Sequence, residues 1–295
     1  MYSDPGSTQM EFSNQVAIWQ SELTKELASG HVKFPDVLDI PFNIKKITSD
    51  PESSMAQISQ VVQSNEAFSN KVMKMSRMLA FNSSFSSVRT VKDAVNRIGI
   101  LAIRCLAFAV AAEELVENEQ NSALHELASE HWKHTVEVAT SAFALGQDMH
   151  SGEPGTDLLS GLLMNVAEFF LLDRISSYPA FALSLPRFAH AVISLRRQVR
   201  QKILIAFDIP EHIVRALPIE DRTPPVNWPP KTLEETLMVA RFCATTPNPF
   251  DVLAGRPPVT TRMVFGDSAH RKVNVDLLLS NIQEERLPMI AALRN

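Results

Sequence analysis

The chain has 295 residues, of which 45% are hydrophobic and 21% are charged, a composition typical of an ordered globular protein with a sizeable core. Its formal net charge is −5, which gives no electrostatic basis for binding nucleic acid or an anionic membrane surface.

The two cysteines and the lack of an export signal indicate the cellular compartment in which we expect the protein. Cys105 and Cys243 are far apart in sequence and both lie in apolar segments, which indicates buried thiols in a reducing compartment rather than a disulfide. No uninterrupted apolar run reaches the roughly 18 residues that a membrane-spanning helix needs. The first residues are polar and acidic, unlike a secretory signal. We therefore expect a cytoplasmic protein.

Helical periodicity begins at the N-terminus. Apolar residues at three- and four-residue spacing predict an amphipathic helix within residues 1–30, with its buried face at Phe12, Val16, Trp19, Leu23 and Leu27. A second helix is predicted from about 36 to 47. Ser53 or Ser54 can cap a third helix, and a fourth follows around Phe68 and Val72.

The middle of the chain is more apolar. Thr90 with Asp93 forms a capping-box-like start, and the segment that follows runs through 100–115 as a core helix. The prolines of 222–230 preclude a continuous helix and predict a rigid loop, and a last helix is predicted from about 275 to 293. No sustained alternation of apolar and polar residues predicts a strand. The expected fold class is all-α, in a single compact multi-helix domain.

Five segments in the same order resemble the HDOD domain, a regulatory branch of the HD superfamily of metal-dependent phosphohydrolases. They are residues 34–75, 90–108, 131–145, 161–172 and 203–217. The resemblance implies an HD-like helical bundle. It also implies three regions: an N-terminal amphipathic helix at 1–30, an HDOD-like domain at 31–245, and a C-terminal helical extension at 246–295 packed on the same domain.

The resemblance also shows where the chain departs from the HD pattern. In 161–172, taken as one central helix, Met164 and Asn165 occupy the position of the family's metal-binding His-Asp pair. A double His expected near 218–220 is absent, and Arg196 or Arg197 stands near another expected His. A thioether and a neutral amide do not replace an imidazole and a carboxylate as ligands. We therefore expect no metal, no cofactor and no catalytic residues.

His134 is the one polar hallmark of the family that survives. Glu130, His131, His134 and Glu137 have a spacing that places subsets of them on one helix face, where they could ligate a divalent ion. The alternative is a core histidine bonded to backbone or carboxylate, because the residues around His134 continue an apolar face. A vestigial pocket is predicted at His134, Met164, Asn165 and Glu168. Glu168 alone is more typical of an exposed charge.

Arg196, Arg197 and Arg200 form a short basic cluster. They could contact an anion or an acidic partner, although a solvated helix face is the commoner reason for such a cluster.

The HDOD resemblance implies a non-catalytic regulatory or scaffolding protein in bacterial signal transduction that acts through a protein partner. Two alternatives stay open. One is a metal-dependent phosphohydrolase with an altered ligand set, and the other is a sensor that binds a nucleotide or another small molecule in the vestigial pocket.

Overall fold

The computed structural model describes residues 5–29, 39–78, 87–149, 154–177, 184–217, 226–258, 260, 264 and 274–293. Within these residues the chain is helical and has no strand, which confirms the all-α prediction. Residues 218–220, where the family's double His is expected, and residues 222–225 of the proline-rich loop lie outside the described part.

The helices of the first half are the following: α1 (Pro5–Ser29), α2 (Asp39–Ser49), α3 (Met55–Gln63), α4 (Glu66–Ser76), α5 (Val91–Asn118) and α6 (Ser122–Met149). The second half of the chain continues the series with these helices: α7 (Pro154–Leu163), α8 (Val166–Asp173), α9 (Leu185–Ala206), α10 (Glu211–Ala216), α11 (Leu233–Cys243), α12 (Pro249–Leu253) and α13 (Val275–Leu293). A 3-10 turn at Arg174–Ser177 follows α8.

Two helix starts carry complete capping boxes. Ser54 begins α3 by accepting a hydrogen bond from the Gln57 backbone N–H, while the Gln57 side chain accepts from the Ser54 backbone. Thr90 and Asp93 do the same at the start of α5, as the sequence pattern predicts. Each box satisfies two N–H groups that a helix start otherwise leaves without partners.

The helix predicted to run on from Thr90 bends once. Gly99, with φ of 78° and ψ of 170°, interrupts α5 inside its first half. This region of backbone space is open only to glycine, since a Cβ would clash there. The expectation of one uninterrupted core helix is therefore corrected at this residue.

The long helices α5 and α6 form the centre of the fold. α5 packs against α2, α3, α4 and α7, while α6 packs against α7, α11 and α13. The α6–α7 contact is close, since a Cβ on Gly161 would lie 2.4 Å from the Cα of Ala139. This approach brings the end of α7 against the middle of α6, where the candidate site lies.

The terminal helices pack on other helices of the bundle. α1 lies on α9, with Trp19 buried beside Phe188, and both carboxylate oxygens of Glu26 accept from Arg174 at 2.6 and 2.9 Å. At the other end α13 packs on α4 and α6, and the buried ammonium of Lys71 donates to the Leu293 carbonyl.

One stretch, Gly155–Asp173, is long and apolar enough by composition to cross a membrane, but 89% of it is buried inside the fold. It spans α7 and α8, so its apolar character is explained by packing in the core.

Candidate functional site

Segment 161–172, which resembles the metal-binding helix of the family, is broken at Met164 and Asn165. α7 ends at Leu163 and α8 starts at Val166, so Met164 and Asn165 form a turn between two helices. Asn165 has φ of −107° and ψ of 15°, outside the helical region. The prediction of a single helix over 161–172 is therefore wrong at these two residues.

Polar contacts from two other helices hold this break. The Asn165 amide donates to the Thr135 hydroxyl of α6 at 2.8 Å, and that hydroxyl donates in turn to the His131 carbonyl at 2.8 Å. From α9, the Arg200 guanidinium donates to the Met164 carbonyl at 2.7 Å. A carbonyl released by a helix break needs such a donor when it is buried. The Asn165 side chain is thus hydrogen-bonded to another side chain inside the fold.

Next to the break, Arg196 lies between two buried carboxylates. Its guanidinium is 3.6 Å from the Glu168 carboxylate of α8 and 3.3 Å from the Asp251 carboxylate of α12. Only 3% of Arg196 and 1% of Glu168 are exposed. Arg241 of α11 also pairs with Asp251, and Arg256 approaches it at 3.8 Å. Within this cluster, Arg196 and Arg241 balance the two carboxylate charges.

These groups line a small pocket, the Arg196 pocket. Its lining residues are Met164, Asn165, Glu168, Arg196, Arg200, Arg241 and Asn248. The interior is little larger than a single water molecule, and the loosely enclosed space around it measures about 210 Å³. The arginine side chains and their ion pairs therefore fill most of the space between α8, α9 and α11.

His134 belongs to a neighbouring cluster and does not line the Arg196 pocket. Its Nδ1 donates to the Thr246 carbonyl at 2.8 Å. One turn later, the Glu137 carboxylate accepts from the Thr246 N–H at 2.7 Å and from the Thr245 hydroxyl at 2.9 Å. Arg286 of α13 donates to the Cys243 carbonyl beside them. The side chains of His134 and Glu137 on α6 therefore hold the loop that follows α11 in place by hydrogen bonds.

Burial and hydrogen bonds together set the charge states of His134 and Glu137. Burial lowers the pKa of His134 to about 4, against the opposing effect of the Thr246 carbonyl. Burial would raise the pKa of Glu137, but the hydrogen bonds from Thr246 and Thr245 together with nearby Arg286 bring that pKa below its ordinary value. At neutral pH, His134 is thus a neutral hydrogen-bond donor and Glu137 is an anion.

His131 is buried among aromatic rings. Its imidazole centroid lies 4.7 Å from the Phe169 ring and 4.9 Å from the Phe250 ring, which meets it edge-on. Burial first, and then His134, lower its pKa well below the ordinary value. His131 is therefore a neutral packing residue in the core.

The predicted site residues thus divide into two groups. Met164, Asn165 and Glu168 line the Arg196 pocket, while His134 lies outside its lining. Glu168 is buried and ion-paired, so its interpretation as an exposed charge is wrong. Glu130, from the possible ligand set around His134, is exposed.

The three arginines of the predicted basic cluster also lie in two different environments. Arg196 and Arg200 are buried and line the pocket, so a solvated helix face does not describe them. Arg197 is exposed and lines a separate groove of about 850 Å³, the α9–α10 groove, with Arg200 and Arg215.

The sequence pattern does not indicate the residues of the C-terminal third that pair with these side chains. Asp251, Arg241 and Thr246 complete both clusters. The start of α12, next to Thr246, does have a recognisable sequence pattern. Asn248 followed by Pro249 is a typical helix start, and the Asn248 side chain indeed accepts from the backbone N–H groups of Phe250 and Asp251.

The donor set does not fit the metal of HD phosphohydrolases. Guanidinium groups have no acceptor to offer a cation, and three of them share the pocket with Glu168. The surviving His134 does not line this pocket, and its Nδ1 donates to the Thr246 carbonyl. Across the residues that the structure describes, no three His, Cys, Asp or Glu side chains are grouped so that they could hold a metal ion.

Comparison with known proteins agrees with this fold. The HDOD domain model matches residues 34–198, more than half of the chain, and the chain belongs to the HDOD domain family. No curated protein sequence matches it.

Solved structures share the fold at low sequence identity. A provisionally named metal-dependent phosphohydrolase from Shewanella amazonensis SB2B is 19% identical, with a TM-score of 0.61 over 92% of this chain and 99% of that chain. A second provisionally named phosphohydrolase from the same organism is 17% identical, with a TM-score of 0.52 over 92% and 98%. A provisionally named signal transduction protein from Marinobacter aquaeolei VT8 is 16% identical, with a TM-score of 0.52 over 98% of this chain and 66% of that chain.

The ion pairs of Arg196 predict that replacing it destabilises the fold far more than replacing its neighbour Arg197. Arg196→Met leaves Glu168 and Asp251 without their shared cation, and the free energy of unfolding should fall by about 3–5 kcal/mol. Arg197→Met, at the exposed neighbouring position, is the matched control and should change it by less than about 0.5 kcal/mol. Urea unfolding measures both, and equal losses in the two variants would contradict the ion-pair description.

The lowered pKa of His134 predicts acid sensitivity. The unfolded chain, where histidine has its ordinary pKa near 6.5, binds the proton more readily than the folded chain, where the pKa is about 4. The free energy of unfolding should therefore fall by about 3 kcal/mol from His134 alone as the pH drops from 6.5 to 4. Urea unfolding at several pH values tests this, and His134→Gln should flatten the slope. An imidazole NMR titration of His134 centred near pH 6.5 would contradict it.

Proposed function

We propose that this chain is a non-catalytic HDOD protein that regulates or scaffolds a bacterial signalling pathway in the cytoplasm through protein contacts, without a metal or cofactor. The observation that carries the proposal is the position of Arg196. Its guanidinium sits between Glu168 and Asp251, beside the Met164–Asn165 break.

Hydrolysis of a phosphoester by an HD protein requires a metal-bound water with a lowered pKa. In this chain the carboxylates near the break are already neutralised by guanidinium groups, which supply charge but cannot activate water in that way. The narrow space also excludes a phosphoester from the interior. These features support a retained fold without the chemistry, and the name of the Marinobacter protein supports a signalling role.

A protein partner needs a surface, and the α9–α10 groove is the candidate. It carries the exposed Arg197 and Arg215, with Glu234 as the acidic residue of the lining. Arg215 is held by Glu211 one turn earlier, so its guanidinium stays over the helix surface. We propose an acidic segment of a signalling partner as the occupant of this groove.

Metal content and turnover test the non-catalytic part of the proposal. The purified full chain should contain no stoichiometric Mn, Fe, Ni or Zn by elemental analysis, and should release no phosphate or nucleotide product from phosphoester and cyclic-nucleotide substrates. A metal-containing HD hydrolase, purified and assayed alongside, is the positive control. One equivalent of bound metal with turnover would establish the phosphohydrolase alternative instead.

Partner capture tests the scaffold part. An affinity-tagged chain, expressed in its own cells, should retain a specific protein. Arg197→Glu combined with Arg215→Glu should lower that recovery by at least about tenfold, because like charges then face the acidic partner. Lys46→Glu combined with Lys92→Glu, at exposed positions on α2 and α5, is the matched double charge reversal and should leave recovery unchanged. Equal recovery with all variants would contradict the assignment of the groove.

A further inference from the structure

A groove lies between the N-terminal helix α1 and the first half of α9. It is open to solvent and offers about 510 Å³ to water-sized molecules, which is comparable to the roughly 300–1,000 Å³ of small-molecule sites. Its lining residues are Phe12, Ser13, Val16 and Gln20 of α1, and Arg187, His190, Ala191 and Ser194 of α9. We call it the α1–α9 groove.

The α1–α9 groove is basic, although the chain as a whole has a net charge of −5. Arg187 and His190 are both exposed, and no Asp or Glu is among the described residues that line the groove. The other polar lining groups are the hydroxyls of Ser13 and Ser194 and the amide of Gln20, all of which can donate hydrogen bonds. A negatively charged ligand that accepts hydrogen bonds therefore suits this groove.

The guanidinium of Arg187 is available for such a ligand. Its carbon lies 5.4 Å from the centroid of the Phe12 ring, and Phe12 is 5% exposed. Among the described residues, Arg187 makes no ion pair. A guanidinium can rest on an aromatic ring by its face and bind a carboxylate through two N–H groups of its edge. Because the ring already restrains the side chain, less conformational entropy is lost when the ligand binds.

The rest of the lining restricts the ligand further. Val16 is half-buried and Ala191 is buried, so apolar surface is present next to the polar groups. From Arg187 to Ser194 the α9 wall spans a helical rise of about 10 Å, which a short hydrocarbon chain can follow. Arg187 is the one permanently charged side chain of the described lining, so it compensates a single negative charge better than a doubly charged phosphate.

We propose that the α1–α9 groove binds a small organic carboxylate, whose charged group pairs with Arg187, with His190 as a second donor, and whose apolar body lies against Val16 and Ala191. Such a ligand contacts both helices and so adds to the packing of Trp19 on Phe188 that holds α1 on α9. This site does not depend on the proposed scaffold function, and either can fail without the other.

Two probes that differ in their head group test where the ligand binds. Octanoate and octanamide have the same hydrocarbon chain, but only octanoate is charged. In the full chain labelled with ¹³C-methyl valine, the Val16 methyl resonances are assigned by their loss in Val16→Ile. They should shift as octanoate is added and shift far less at the same concentration of octanamide. Unmoved Val16 resonances, or equal shifts with the two probes, would overturn the proposal.

Affinities from the same titrations test the role of Arg187. Arg187→Gln should weaken octanoate binding by about fivefold or more, because the ion pair is lost, and should leave octanamide binding unchanged. Arg89→Gln, at an exposed position before α5 and outside the groove, is the matched control and should bind octanoate as the unchanged chain does. Thermal unfolding of both variants verifies that they are folded. Equal octanoate affinity in the two variants would overturn the proposal.

Discussion

The guanidinium of Arg196 is the constraint on which the described site depends. Two carboxylates, Glu168 and Asp251, are buried on different helices, and burying either one without a cation would be strongly unfavourable. Arg196 from α9 compensates both at once, with Arg241 adding a second pair to Asp251. These ion pairs therefore link α8, α9, α11 and α12 around one buried guanidinium.

The C-terminal third of the chain is part of this arrangement. The family match ends at residue 198, yet Asp251 and Thr246 lie well beyond it. Thr246 is held by both His134 and Glu137 of α6, so the loop after α11 is fastened to the centre of the fold. Much of the site is thus built by residues that follow the matched family segment.

The fold could be predicted from the sequence, because helical spacing and capping are local. Thr90 with Asp93, and the final helix over 275–293, are predicted as the structure has them. The site could be predicted only in part. The family resemblance points to Met164 and Asn165, but the burial of Arg196 does not follow from its neighbours, since its partner Asp251 is 55 residues away. Charged residues are usually exposed, so only tertiary packing identifies the exceptions.

In the proposed non-catalytic function, the Arg196 guanidinium takes the place of a cation between Glu168 and Asp251. A calorimetric Mn²⁺ titration of two variants tests it most directly. One carries Met164→His with Asn165→Asp, which restores the family pair, and the other adds Arg196→Gln. We expect no Mn²⁺ binding by the first variant and measurable binding by the second, because only the second removes the guanidinium from between the carboxylates. Equal Mn²⁺ affinity in the two variants would contradict it.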